Sequence, residues 1–539
     1  MSSLKPLAQL ETHEVFNQAP PMEDRNLWVD DLSLRSAVAK AGGAIHAPRL
    51  EALGARVGSA EVIEWGVEAN RQTPVLETFD RFGHRIDEVR FHPAYHQLMA
   101  LGLDSGFASV AWTDQPAGHV AHGALLFLQG QADSGTICPM TMTYAAVPAL
   151  QVEPKVAEVW VPRIQAGRYD GAARPAAEKA GVTIGMAMTE KQGGSDVRAN
   201  STKAEAIGDD WFRLTGHKWF CSAPMCDAFL TLAYTDAGLT CFLVPRWLPD
   251  GNRNAGFRVM RLKDKLGDRS NASSEIEYHG ALAQRLGPEG RGVSTIIQMV
   301  QHTRLDCVLG SAQQMRASLS QAVWHTAHRS AFQRRLIDQP AMAGVLADLA
   351  VESEAATSIG FRLAKAFDAD EPLARLLTPI AKYWVCKRTP GFVYEAMECL
   401  GGAGYIETGP MARIFRQSPL NAIWEGSGNV IALDVLRAIA REPEGVEALA
   451  DWLKAQGQRN ASYDRYIGDL DFSRISEANA RLFVERLALA AQAATLLEWE
   501  SPVVDAFCTL RLEGRGNAYG AHDSAIDTRA ILERALPVG

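Results

Sequence analysis

Two segments of this 539-residue chain combine residue types that could hold a flat, charged ligand. Residues 186–196 read MAMTEKQGGSD, with two glycines directly before Ser195. Such a backbone loop can approach a ligand closely and offer N–H and hydroxyl donors, which suits a phosphate or the edge of a flavin. Residues 216–222 read GHKWFCS, where Trp219, Phe220 and Ser222 could bracket a flat heterocycle. A plain Gly-Gly turn and an aromatic core strand are the alternatives.

A third segment could move a proton. Residues 423–429 read IWEGSGN, so Glu425 lies between Trp424 and a Gly-Ser-Gly loop before a predicted helix at 430–439. A carboxylate on such a loop is suited to act as a general base. Burial by Trp424 would raise its pKa and the helix end would lower it, and the sequence leaves the balance open. A solvated or capping carboxylate is the alternative.

Composition indicates a soluble globular protein. Hydrophobic residues make up 47% and charged residues 22%, and the net charge of −9 argues against nucleic-acid attraction by the molecule as a whole. The eight cysteines form no CxxC pair, so we expect buried, reduced thiols and no metal site. The start of the chain has no secretory pattern, and Pro139 and Pro148 break the longest uncharged stretch. We therefore expect a cytoplasmic protein without a membrane span.

Several common signatures are absent from the sequence. There is no GxGxxG, GxxxxGK[ST], GxSxG or HExxH. Rossmann dehydrogenases, P-loop NTPases, α/β-hydrolases and zincins therefore lose support.

The periodicity of apolar residues predicts the elements that position these segments. Helices are predicted at 31–41, 60–70, 92–102, 294–329, 340–366 and 481–500, and strands at 211–215, 229–234, 239–245 and 274–278. The first 180 residues are expected to be helical throughout. The predicted domains are 1–180 (helical), 181–285 (β), 286–440 (helical bundle) and 441–539 (additional helices), packed without a flexible linker.

The order MTEKQGGSD, KWFCS, LGGAGY and WEGSGN, on a helix–sheet–helix arrangement, resembles the acyl-CoA dehydrogenase family of flavoproteins. The resemblance implies a mainly α fold: an N-terminal helical domain, a middle β-domain and a C-terminal four-helix bundle, here with an extra helical domain. FAD would lie between sheet and bundle. The segments HEVFNQAPP, RFHPAYH and LKDKLGDRSNAS are similar to a bacterial branch of the family that is linked to the response to DNA alkylation.

The resemblance also assigns residues to the flavin site. Flavin contacts are expected from Met186, Met188, Thr189, Gly194 and Ser195, from Phe220 and Ser222 on the strand, and from Trp424, Ser427 and Asn429 around Glu425. Most of the family has Trp where Phe220 stands, so either Phe220 or Trp219 could be the stacking partner.

Two further features imply a shared cofactor. Arg329 and Phe332 resemble the family motif R-x-x-F-G-x-P, although Gln333 and Arg335 replace its Gly and Pro. Gly401, Gly402 and Gly404 resemble the loop that receives the adenine dinucleotide of a neighbouring subunit. Both imply a homotetramer built as a pair of dimers.

The implied reaction is dehydrogenation of a short or branched acyl-CoA, with Glu425 removing the α-proton while hydride leaves the β-carbon for flavin N5. The alternative is a flavin-containing protein that binds or protects double-stranded DNA with little dehydrogenase activity. Residues 441–539 hold 11 Lys+Arg and 16 Asp+Glu, so this region is net negative and matches the negative phosphates of DNA poorly. The candidate basic sets are Arg253, Arg258, Arg261, Lys263, Lys265 and Arg269, and Arg437, Lys454, Arg459, Arg465, Arg474 and Arg486.

Overall fold

The N-terminal part of the chain is mainly helical in the computed structural model, which describes residues 7–113, 116–472, 475–514, 518–522 and 526–537. Its elements are α1 Leu32–Lys40, α2 Ala47–Val57, α3 Ala60–Arg71, β1 Val75–Phe79, β2 Arg85–Arg90, α4 Pro93–Asp104, α5 Gly118–Ala132, α6 Ile137–Ala145, α7 Val147–Gln151 and α8 Pro154–Gln165. The three helices predicted here are confirmed. The expectation of helix throughout is wrong, because β1 and β2 form an antiparallel hairpin.

A buried carboxylate explains why this hairpin forms where it does. Asp87 in β2 is 2% exposed and accepts hydrogen bonds from Arg85 Nε at 2.9 Å and from the distant Val259 N–H at 3.2 Å. The hairpin is therefore fixed to the sheet of the middle domain.

The middle domain is a closed sheet. Its strands are β3 Ile184–Ala187, β4 Lys203–Gly208, β5 Trp211–Ser222, β6 Ala228–Thr235, β7 Gly238–Pro245, β8 Phe257–Leu262 and β9 Ser273–Leu286. The pairings β6–β4, β4–β5, β5–β9, β9–β7 and β7–β6 return to their starting strand, while β3 joins β6 and β8 joins β9. The four predicted strands are confirmed within β5, β6, β7 and β9, and β3, β4 and β8 are additional.

Long helices form the C-terminal half. The elements are α9 Gly292–His328, β10 Ser330–Ala331, β11 Arg334–Arg335, α10 Pro340–Asp368, α11 Ala374–Glu398, α12 Gly402–Tyr405, α13 Met411–Gln417, α14 Gly428–Arg441, α15 Pro443–Ala455, α16 Ala461–Gly468, α17 Ala480–Glu498, α18 Val504–Phe507 and α19 Thr528–Ala535. A short π-helix spans Cys508–Leu512. Helices α9, α10 and α11 pack on one another, α5 packs on α9, and α17 packs on α10 and α11. The long helices predicted here are confirmed.

One continuous apolar core joins the three parts of the chain. All eight cysteines are buried, free thiols, as predicted. Within the described ranges, no helix is both long and apolar enough to cross a membrane.

Candidate active site

Glu425 occupies a strained turn whose carbonyl groups are held by buried cations. The turn precedes α14, and Glu425 has a φ of +56°, the left-handed region that non-glycine residues seldom adopt. Lys382 Nζ, on α11, donates to the carbonyl oxygen of Trp424 at 2.8 Å and also to that of Gly426. Arg304 Nε, on α9, donates to the carbonyl oxygen of Glu425 at 3.1 Å. Two cations from different helices thus fix three successive carbonyls of the turn.

The carboxylate of Glu425 is half-buried between helices. Its Oε2 accepts a hydrogen bond from Thr303 Oγ1 at 2.8 Å. Burial raises the pKa of Glu425, while the Thr303 hydrogen bond and the charges of Arg304 and Lys382 act to lower it. The sequence left open whether the pKa of Glu425 is raised or lowered, and in the structure the effect of burial is the larger one. A raised pKa suits a proton acceptor.

The neighbours of Glu425 are placed by the same helices. The Trp424 indole N–H donates to Asn421 Oδ1 at 2.8 Å, and Asn421 donates to Ser311 Oγ of α9 at 3.1 Å. Ser427 and Asn429 lie at the start of α14 and are exposed. Trp424 is therefore an oriented, half-buried wall of the site.

The Thr189 loop, defined as residues 188–195, lies against β5. The carbonyl oxygen of Thr189 accepts a hydrogen bond from Trp219 N–H at 2.7 Å. A Cβ on Gly194 would come within 2.3 Å of Thr189 Oγ1, so this tight turn requires glycine. Ser195 is exposed, and Met186 lies in β3. The first two predicted segments are thus brought together.

A buried ion pair that sequence reasoning missed fixes this loop. Lys218 Nζ and Glu190 Oε1 are 2.9 Å apart, and both side chains are fully buried. Thr202 Oγ1 donates to Glu190 Oε1 at 2.6 Å, and Ser201 N–H donates to Oε2 at 2.7 Å. Burial acts to raise the pKa of Glu190, but the Thr202 hydrogen bond and the Lys218 charge outweigh it and hold that pKa well below its usual range.

The two aromatic side chains of β5 have different surroundings. Lys263 Nζ lies 3.3 Å from the ring centroid of Trp219, and Arg261 also faces this ring. Phe220 is 50% exposed. Lys263 Nζ also lies 4.9 Å from the ring centroid of Phe220, which is still the more exposed of the two rings and the position matched by the resemblance.

Ser222 and Glu425 both lie near α6. Ser222 Oγ is 3.2 Å from Ser273 Oγ, which accepts a hydrogen bond from Lys265 Nζ at 3.3 Å. Burial raises the pKa of the Cys138 thiol in α6 to about 12, with smaller effects from Lys265, Ser222 and Glu425. Ser222, at the end of β5, and the Glu425 carboxylate thus both influence the same buried cysteine.

The arginine and glycine motifs form separate surface features. Arg329 follows α9, and its NH1 donates to the Asn17 carbonyl at 3.0 Å. Phe332, at the tip of the β10–β11 hairpin, is 95% exposed with a φ of +53°. A Cβ on Gly401 or Gly402 would meet no atom within 4 Å, whereas Gly404 packs against Met397.

The residues present fit a flavin. The site offers the hydroxyls of Thr189 and Ser222, an open aromatic ring at Phe220, and clear space around Gly193, whose φ is +127°. A carboxylate stands on the bundle side. Within the described ranges, no cluster of three or more metal-ligating side chains occurs.

The predicted basic residues are largely engaged within the chain. Arg261 Nε and Lys263 Nζ lie 2.7 and 2.6 Å from Glu275 Oε1. Arg459 donates to the Leu497 carbonyl and Arg486 to the Asp469 carbonyl, each at 3.0 Å. Arg474 lies outside the described residues.

Comparison with known proteins decides the family. The family model for the N-terminal domain of the adaptive response protein AidB matches residues 17–171. The models for the middle and C-terminal domains of acyl-CoA dehydrogenases match residues 185–281 and 290–440. AidB of Escherichia coli is 43% identical over 518 residues, covering 94% of this chain and 95% of AidB. The chain belongs to the acyl-CoA dehydrogenase family. It is therefore an FAD-dependent oxidoreductase, as predicted.

Other relatives agree with this acyl-CoA dehydrogenase assignment. Acyl-CoA dehydrogenase family member 11 of Caenorhabditis elegans is 33% identical over 419 residues, covering 72% of this chain and 66% of that protein. The crystal structure of Caenorhabditis elegans ACDH-11 in complex with C11-CoA has a TM-score of 0.83, 26% identity, and coverage of 98% of this chain and 93% of that one. The predicted fold class is confirmed.

Proposed function

We propose that this acyl-CoA dehydrogenase oxidises a short or branched acyl-CoA thioester, with Glu425 as the base that removes the α-proton. The observation that carries the proposal is the half-buried Glu425 carboxylate, whose raised pKa keeps it a competent proton acceptor. FAD, when bound, supplies the acceptor for the hydride that leaves the β-carbon. The ACDH-11 complex with C11-CoA supports an acyl-CoA ligand for this fold.

The fixed carbonyls prepare the backbone for the substrate. In a trans peptide, the C=O and the following N–H point in opposite directions. Because Lys382 holds the carbonyl of Trp424, the N–H of Glu425 points away from that ammonium group. This N–H is then available to a thioester oxygen, where a preorganised donor stabilises the developing negative charge.

The flavin contacts follow from the same arrangement. Within the proposal, the Thr189 loop and Phe220 border the flavin on the sheet side, with Ser222 at its edge. The exposed Phe332 and the half-buried Arg329 would contact FAD of a second subunit, so the active assembly would be a homo-oligomer, which we propose is a homotetramer built as a pair of dimers. Phe332 is 95% exposed at a hairpin tip, and an apolar side chain that is so exposed supports an interface in which another chain covers it.

Anaerobic mixing with isovaleryl-CoA tests the proposal. We expect the visible flavin absorbance to bleach in the wild type and to persist in Glu425→Gln, which keeps the shape of the side chain and removes the base. Equal FAD content in the two proteins is the control. Bleaching of Glu425→Gln as fast as the wild type would remove this residue from the mechanism.

Duplex DNA binding is the second candidate, and the match to an adaptive-response domain is the observation that favours it. The pairing of Arg261 and Lys263 with Glu275 argues against a large phosphate-binding face. A salt titration tests it, because affinity carried by phosphates falls steeply as salt rises from about 50 mM. Undetectable affinity at low salt, or affinity that does not change with salt, would exclude phosphate binding.

A further inference from the structure

A second pocket lies in the N-terminal domain, on elements other than those that hold Glu425. Its volume is about 470 Å³, within the range of small-molecule sites. One face of α2, the end of α4 and the segment after α8 line it. We propose that this pocket binds a small organic phosphate, by a site independent of the flavin.

Three arginines give the pocket its chemistry. Arg49, Arg56 and Arg168 line it, against the single carboxylate of Asp104. Asp104 Oδ1 is already engaged, because it accepts the Tyr169 N–H at 3.1 Å. The lining of this pocket thus carries a local excess of positive charge in a chain whose net charge is −9.

The arginines are available to a ligand. In the part of the chain that the structure describes, Arg49 and Arg168 have no ion-pair partner. Arg56 lies 5.8 Å from the ring centroid of Trp65 and forms an exposed pair with Glu61 at 3.2 Å, which contributes about 0–1 kcal/mol and exchanges readily. Guanidinium groups pair through two parallel hydrogen bonds with carboxylates and phosphates alike, but three of them line this pocket, so a phosphate, with its additional oxygen and charge, suits the set better than a single carboxylate.

Glycines keep the space open. Gly106, with a φ of +97°, would place a Cβ 3.2 Å from Arg49 NH1. Gly167, with a φ of +58°, would place one 2.8 Å from Ser109 Oγ. Larger residues at either position would crowd the pocket.

Part of the remaining wall is apolar. Ala52, Leu101 and Ala166 lie beside the arginines and are at least partly exposed. A carbon skeleton attached to the phosphate would cover this surface, and burial of apolar area favours binding. This is why we expect an organic phosphate rather than the free ion.

Calorimetry on the FAD-loaded full chain tests the site, with phenyl phosphate and inorganic phosphate as probes. We expect one phenyl phosphate per chain, bound more tightly than inorganic phosphate. Arg49→Gln/Arg168→Gln should weaken phenyl phosphate binding at least about tenfold, because charge-assisted hydrogen bonds are lost. The matched control, Arg35→Gln/Lys203→Gln, removes the same charge from exposed positions elsewhere and should bind like the wild type.

Three results would overturn the proposal: no binding to the wild type, equal weakening in the control, or unchanged binding in the Arg49/Arg168 variant. Inorganic phosphate binding as tightly as phenyl phosphate would contradict the organic ligand. Unchanged FAD content and thermal unfolding show that each variant is folded. If the double variant does not fold, Arg49→Gln and Arg168→Gln are measured singly.

Discussion

The ammonium group of Lys382 lies 2.8 Å from the carbonyl oxygen of Trp424, the residue directly before Glu425, and it also holds the carbonyl of Gly426. Lys382 is 1% exposed. A buried cation thus spans the turn that carries the proposed base and stabilises a backbone conformation that glutamate rarely adopts. The position of the base depends on this contact.

Lys382→Met should therefore slow flavin reduction by acyl-CoA, by about a hundredfold if the base moves by about 1 Å. The charge of Lys382 also lowers the pKa of Glu425, so its removal should raise that pKa further. Because the base must be deprotonated, the acidic limb of the rate profile should move to higher pH. Stopped-flow reduction across the pH range measures both effects.

Lys365→Met is the matched control for that experiment. Lys365, on α10, is partly exposed and lies 3.9 Å from its partner Glu498. It should leave the rate and the pH profile unchanged. A Lys382→Met protein with a normal pH profile would show that the cation does not act through Glu425.

Loss of the buried ammonium group of Lys218 should destabilise the sheet domain. Lys218→Met leaves Glu190 buried without its partner, which costs about 3–5 kcal/mol. Thermal unfolding should show a large drop in midpoint and weaker FAD retention, because Glu190 belongs to the Thr189 loop. Lys203→Met, an exposed change in β4, should have little effect, and equal midpoints for the two variants would contradict the role of the pair.

Asp268 should make stability fall as pH rises. It is 5% exposed, and burial raises its pKa to about 7. A raised carboxyl pKa means that the folded state favours the neutral form, so this contribution is complete below the unfolded pKa and is lost as pH rises through about 7. Asp268→Asn mimics the neutral form. It should match the wild type below about pH 4 and be more stable near pH 8, because the difference grows by about 1.4 kcal/mol per pH unit between the unfolded pKa and about 7 and stays constant above that.

Thermal unfolding at the two pH values measures that difference. Asn also tolerates the φ of +49° at this position. The same stability difference at both pH values would show that Asp268 does not titrate in this range.

The exposed hairpin tip should control assembly. Phe332→Asp places a charge where the proposed tetramer buries a phenyl ring, so light scattering should report a smaller species. Phe82→Asp is the control, since Phe82 is also an exposed phenylalanine, 70% accessible, in the β1–β2 hairpin. A tetramer that persists in Phe332→Asp, or a wild-type monomer, would contradict the shared site.

Strongly periodic elements could be predicted from the sequence, but charged strands could not. Helices α9, α10 and α17 repeat apolar residues over many turns, so local pattern defines them. The β1–β2 hairpin lacks that signal, because Arg85, Asp87 and Arg90 dilute its alternation. The Asp87 carboxylate instead accepts a hydrogen bond from the N–H of Val259, which lies 172 positions away, and a local pattern does not reveal such a contact.

In the candidate site, too, some residues could be predicted from local sequence and others could not. The motif predicted Glu425 and the Thr189 loop, since loops of this composition are recognisable locally. The cations that hold them could not be predicted, because Lys218 and Lys382 are of a residue type that is almost always exposed. A lysine flanked by apolar and aromatic residues in a predicted strand, as in HKWF, was the available signal for Lys218.

The central claim is that Glu425 removes the α-proton of a bound acyl-CoA. It is tested most directly by anaerobic reduction with isovaleryl-CoA that carries deuterium at the α-carbon. If the account is right, the wild-type flavin bleaches measurably more slowly with the deuterated thioester than with the unlabelled one. Identical rates for the two thioesters, or no bleaching of the FAD-loaded protein by either, would contradict it.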